Sequence, residues 1–241
     1  MHRGQHIGTL YEPGGADTNR NLPRCQYLQN IVTTVTEAVG KDNIRAFWLA
    51  GHSQGGLTSR RLICTEYFEN KVDGFASLSG GRLGGAPQRS PNAGRPRQAD
   101  APPPAAPAAA ATPQAAPAPV PACNLSHIYA IGEYEIVSLP ETSALATRYN
   151  CSARVRRDDV VDTEAGKTYN SSSQNPGTRE WGLLPRPGTA QVYEYPGCDK
   201  GRVIADVVRM DKGHTEGFEP NIMDTIVSLM VSASGGKIQG N

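Results

Sequence analysis

Five consecutive apolar or small residues, Ala46-Phe47-Trp48-Leu49-Ala50, run straight into the glycine-flanked turn Gly51-His52-Ser53-Gln54-Gly55, and a helical pattern over 55–68 follows at once. A short unbroken apolar run is the signature of a strand buried on both faces. The helix takes its apolar positions from Leu57, Leu62, Ile63 and Tyr67. A buried strand joined tightly to a helix is the opening half of a parallel crossover unit, so the chain is committed to layered α/β architecture.

The alternation continues on both sides. Leu28, Ile31, Val32, Val35 and Val39 fall at helical spacing and predict an amphipathic helix over 23–39, ended by Gly40. Residues 72–78 read as the next strand, stopped by Ser79-Gly80-Gly81, and 128–131 as another. A helix over 141–149 and strands at 191–195 and 203–210 follow. Pro220 then opens a last helix carrying Ile222, Met223, Ile226, Val227 and Met230. Residues 154–190 are polar and turn-rich. The expected fold class is α/β, a mostly parallel sheet with helices on both faces.

Residues 87–122 break this pattern. They are nearly all Ala, Pro, Gln, Arg, Gly and Ser and hold eleven of the nineteen prolines. Without bulky apolar groups to offset the entropy of ordering, such a stretch is expected to be a disordered or polyproline-like loop. It interrupts a single domain spanning residues 1–241, because 86 residues before it would make a weak domain alone.

Charge excludes some partners. Lys plus Arg number 24 against 23 Asp plus Glu, which argues against nucleic acid or an anionic membrane. The cluster Arg154, Arg156, Arg157 is answered by Asp158 and Asp159 and reads as a solvated turn. No stretch approaches the ~20 apolar residues of a membrane span, and Met1-His2-Arg3-Gly4-Gln5-His6 leads into no secretory apolar region. Cys25, Cys64, Cys123, Cys151 and Cys198 form no CxxC pair and have no His at ligand spacing, so no metal site is expected. Five cysteines allow two disulfides and one thiol.

The turn at 51–55 is a G-x-S-x-G pentapeptide between strand and helix, the context of a nucleophile elbow. Small residues at 51 and 55 let the backbone turn sharply and hold Ser53 in a strained conformation. The backbone N–H of Gln54 would then face a developing oxyanion. A serine needs a base. His2 and His6 precede the turn, His52 is within it and is expected to point away from Ser53, and His127 begins a strand. His214 lies in the polar loop 211–217 after the strand at 203–210, where the chain order Ser, acid, His puts the base. The acid should follow the strand at 128–131, in Ile131-Gly132-Glu133-Tyr134-Glu135. Glu133 and Glu135 are both candidates.

These residues resemble the α/β-hydrolase superfamily over most of the chain. In hydrolases of that kind the acid often follows a Gly after two intervening residues, the offset of Glu135 from Gly132, so the resemblance makes Glu135 the first candidate and Glu133 the alternative. A narrower resemblance is to secreted bacterial esterases of the polyhydroxybutyrate-depolymerase and feruloyl-esterase type, carried by Asn150-Cys151, Tyr195-Pro196-Gly197-Cys198 and Gly213-His214. It implies a Cys151–Cys198 disulfide and an extracellular or periplasmic location. It also implies a carboxylic-ester hydrolase acting through an acyl-enzyme on a small-molecule or polymer ester, without cofactor. A peptidase or acyltransferase would use the same residues, and a catalytically weak binding protein is the alternative from another class. Tyr169, Trp181 and Leu183 are candidates to line or cap the cleft. Two departures stand out. Thr215-Glu216-Gly217 replaces the Trp-Pro common in that family, and only about fifty residues precede Ser53, where the fold usually spends more. No His-Gly-Gly segment is present and Gly14-Gly15 lies close to the following helix, so an N-terminally truncated product or a mis-called start, lacking the first strands, is expected.

Overall fold

The run at 46–50 becomes strand β1 (Trp48–His52), two residues later than its apolar content suggests. The carboxylate of Asp73 explains the delay. Its Oδ2 accepts the Phe47 N–H at 2.9 Å, where a neighbouring strand would otherwise offer a carbonyl. The computed structural model describes residues 23–90, 120–167 and 178–240. The chain divides into two compact units, Met1–Asn43 and Ile44–Asn241.

In the first unit, helix α1 (Pro23–Val39) has the predicted bounds. Gly40 ends it at φ 81°, in the left-handed region that glycine tolerates. Of the predicted apolar stripe, Val32 is buried and Leu28 half-buried, while Ile31, Val35 and Val39 are exposed.

The second unit is an α/β sheet. Helix α2 (Gln54–Leu62) follows β1 and stops short of the predicted 68, giving way to turns. Next come β2 (Gly74–Leu78), a two-residue β3 (Gln88–Arg89), β4 (Ser126–Gly132) and β5 (Ile136–Ser138), then the short α3 (Ala144–Arg148). The chain continues through β6 (Val155–Arg156), β7 (Val160–Val161), β8 (Thr189–Glu194) and β9 (Ile204–Met210) to α4 (Pro220–Ser232). The principal sheet has the order β1-β2-β4-β9-β8-β6, with β7 also paired to β8. β1, β2, β4 and β9 are parallel neighbours. β8 is antiparallel to β9, and β6 and β7 are antiparallel to β8. Uniform alternation of strand and helix therefore fails here. Residues 195–203 are too few for a crossover, so β8 and β9 pair as antiparallel neighbours.

Side chains alternate across the sheet. Ala76, Ile128, Ala130, Ala190, Val192, Ala205 and Val207 form one core with Ile222, Ile226 and Leu229 of α4. The intervening residues Tyr129, Ile131 and Val208 form a second core. Burying a Leu or Ile side chain in such a core contributes about 1.5–3 kcal/mol. Gly74 lies beside Trp48 across the β1–β2 register, and a Cβ there would come within 2.4 Å of the indole.

The stretch read as starting at Pro87 gives Gln88 and Arg89 to β3, which pairs antiparallel with β5; residues 91–119 lie outside the described residues. Two disulfides are formed. Cys151–Cys198 ties the end of α3 to the loop between β8 and β9, and Cys64–Cys123, which spacing does not single out, joins the turns after α2 to the approach to β4. Among the described residues no helix is long and apolar enough to cross a membrane.

Candidate active site

Ser53 sits between β1 and α2 with φ 50° and ψ −118°, a left-handed conformation that costs a non-glycine residue about 1–3 kcal/mol. Two bonds hold it there. Its N–H donates to Leu78 O at 2.8 Å, and its carbonyl accepts the Leu57 N–H at 3.1 Å. The glycines permit the crowding, though not all those expected. A Cβ at Gly51 would lie 2.4 Å from the Gly55 carbonyl carbon, and one at Gly56 would lie 2.8 Å from Gly80 Cα. A Cβ at Gly55 itself would meet nothing within 4 Å. The close approaches fall on 51, 56 and 80.

Ser53 Oγ lies 2.7 Å from His214 Nε2, and His214 Nδ1 lies 2.6 Å from Glu135 Oε2. Three segments from distant parts of the chain thus share one line of hydrogen bonds. Glu135 closes a one-turn 3-10 helix directly after β4 and is fully buried. Its Oε1 accepts from Ser79 Oγ at 2.6 Å and from Gly132 N at 3.0 Å. Burial alone would raise the Glu135 carboxyl. The bonds from His214, Ser79 and Gly132 outweigh it and hold the group below its ordinary value.

Glu133 is not brought to the imidazole. Its Oε2 accepts the Asp211 N–H at 2.7 Å, and Tyr134 N donates to Lys212 O at 3.0 Å, so the 3-10 turn is stitched to the histidine loop. The approach is tight: a Cβ at Gly132 would lie 2.4 Å from Lys212 O.

A second set of contacts fixes that loop. Glu216 Oε1 accepts from Gly213 N at 3.0 Å and Leu183 N at 3.2 Å, while its Oε2 meets Arg186 at 2.8 Å. Lys212 pairs with Glu219 at 2.9 Å, both buried. His214 N and Thr215 N donate to Glu180 O and Trp181 O. The Trp181 ring stacks on His214 with centroids 5.4 Å apart. The sequence Thr215-Glu216-Gly217 thus supplies its own anchor in Glu216. Of the cleft candidates, Trp181 reaches the imidazole, Leu183 contributes its backbone, and Tyr169 lies outside the described residues, as do Gly14 and Gly15.

Among the other histidines, His127 is buried in β4. Nδ1 donates to Phe75 O at 3.0 Å and Nε2 accepts the Leu83 N–H at 3.0 Å, which requires the neutral ring. Burial pushes it down to about 3. His52 does something its position gave no hint of: Nε2 lies 2.7 Å from His214 O and donates to it. Burial pushes His52 down to about 4, so it too is neutral near pH 7. The contacts of Ser79, Arg89 and Glu216 carry no sequence signal either, because nothing local to these residues reports which loop they meet.

Gln54 opens α2, where a first-turn N–H has no acceptor within its own helix. Among the described residues no three His, Cys, Asp or Glu side chains are grouped to hold a metal ion. Neither a protein-family model, nor a curated protein, nor a solved structure matches this chain.

Proposed function

We propose that this chain is a carboxylic-ester hydrolase of α/β-hydrolase type, with Ser53 as nucleophile, His214 as general base and acid, and Glu135 as the orienting carboxylate. The observation that carries the reading is the unbroken relay Ser53 Oγ–His214 Nε2, His214 Nδ1–Glu135, starting from a serine held at positive φ between strand and helix. In the first step Ser53 Oγ bonds to the ester carbonyl carbon while its proton passes to His214 Nε2. The carbonyl oxygen becomes an oxyanion beside the Gln54 N–H and the amino end of α2. Collapse breaks the ester C–O bond, and the leaving alkoxide takes the proton from Nε2. Water then repeats the sequence on the acyl-enzyme, with its proton moving through Nε2 back to Ser53 as the acid departs.

Glu135, held ionised, fixes the His214 tautomer with hydrogen on Nδ1 and stabilises the imidazolium of each transition state. The two disulfides support an oxidising, exported setting. Hydrolysis of p-nitrophenyl acetate and butyrate tests the proposal. Turnover by the parent that falls by roughly 10³-fold or more in Ser53→Ala is the expected result. Folded parent with no turnover above that variant would favour the binding-protein reading instead.

A further inference from the structure

The triad acid proposed above has four donors, and one of them has no place in that mechanism. Oε1 is met by the neutral donors Ser79 and Gly132. Oε2 is met by His214 at 2.6 Å and also by Arg89 Nη2 at 3.2 Å. Arg89 gets there because β3 pairs with β5, the strand directly after Glu135, and Ser90 N donates to Glu135 O at 2.9 Å. The backbone around the acid therefore carries the guanidinium to it.

We propose that Arg89 is an electrostatic positioning residue of the active site, a second cation on Glu135 that competes with the imidazolium of His214 for the same carboxylate oxygen. This inference rests on the esterase reading for its consequence in catalysis, though not for its physical content. Two positive groups sharing one oxygen repel, so the charge on Arg89 opposes protonation of His214. The neutral imidazole is the form able to take the Ser53 proton, so this repulsion favours the form that the proposed mechanism needs.

The other groups around the pair do not supply this charge. His52, on β1, is neutral because burial pushes it down to about 4. Tyr129, on β4, is buried and pushed up, so it stays a neutral phenol. Arg209, on β9, is paired with Glu219 at 3.2 Å. Glu133 and Asp211 join the flanking loops, Asp211 bonded to Tyr134 and Arg186, and Glu216 is paired with Arg186. Of the basic side chains among the described residues, only those of His214 and Arg89 are bonded to Glu135. Because the Arg89 side chain is 41% exposed, solvent screens its effect and the shift it causes is modest.

The test is an NMR titration of the His214 imidazole in the full chain, for the parent, Arg89→Met and Arg89→Lys, alongside the pH profile of kcat/KM for p-nitrophenyl butyrate. In Arg89→Met the imidazole midpoint should rise by about half a pH unit, and the acid limb of kcat/KM should move to higher pH with it. Arg89→Lys, which keeps the charge, should stay with the parent. An unchanged midpoint in Arg89→Met, or equal shifts in both variants, would overturn the proposal. Should the parent hydrolyse no ester, the NMR midpoints still decide whether Arg89 acts on His214, and only the esterase reading falls.

Discussion

His52 Nε2 donates to the backbone carbonyl of His214 across 2.7 Å, so the residue before the proposed nucleophile braces the residue proposed as its base. The two rings lie 5.0 Å apart. Because the bond goes to a carbonyl, its role is placement of the loop and not charge. His52→Ala should lower kcat/KM roughly ten- to hundredfold, as misplacement of a reacting group does. His52→Gln, whose amide N–H can also donate, should recover part of the loss, with both thermal midpoints close to the parent. Steady-state kinetics on p-nitrophenyl butyrate, with melts monitored by circular dichroism, check this.

The two acids in the turn after β4 have separate partners, and variants should separate them further. Glu135→Gln leaves an amide where the His214 tautomer needs an anion, and the expected fall in kcat is about 10⁴-fold. Glu133→Gln keeps an oxygen able to accept the Asp211 N–H, and its effect should stay below about tenfold. Equal losses in the two variants would contradict the assignment.

The elbow predicts an asymmetry between neighbouring glycines. Gly55→Ala meets open space at an ordinary backbone angle and should be neutral or stabilising by about 0.4–1 kcal/mol. Gly56→Ala would drive a methyl against the Gly80 and Gly51 backbones and should destabilise by about 1–3 kcal/mol or more. Urea denaturation measures both.

Much of this arrangement was legible from local pattern, and the exceptions have physical causes. α1 and the opening of α4 follow from periodicity and from Gly40 and Pro220, since helix signals are local. The positions of β1, β2, β4, β8 and β9 were legible too, but the two- and three-residue strands β3, β5, β6 and β7 were not, being too short to show a pattern, and the antiparallel direction of β8 depends on how little chain links it to β9. Ser53 and His214 could be picked out as candidates from the turn and the chain order, and Glu135 from the offset that the family resemblance supplies; the structure brings the three side chains together. His52, Ser79 and Arg89 could not be picked out, since each meets its partner at a sequence separation that no short motif encodes.

Acidification should weaken the fold through a defined group. His127 titrates at about 3 in the native chain against 6.5 unfolded, so between those values the unfolded state binds the extra proton. Stability from this group is fully present above pH 6.5 and lost as pH falls toward 3, with a slope approaching about 1.4 kcal/mol per pH unit. The depressed carboxyl of Glu135 acts in the same direction at lower pH. Urea midpoints from pH 7 to pH 5 should fall for the parent and fall less steeply for His127→Gln.

Covalent labelling asks about the nucleophile itself. The folded protein is treated with a fluorophosphonate and the modified peptide located by mass spectrometry. A single adduct on Ser53, absent in Ser53→Ala and strongly slowed in His214→Ala, is the predicted result. A folded parent that takes no label, or takes it on another residue, would contradict the account.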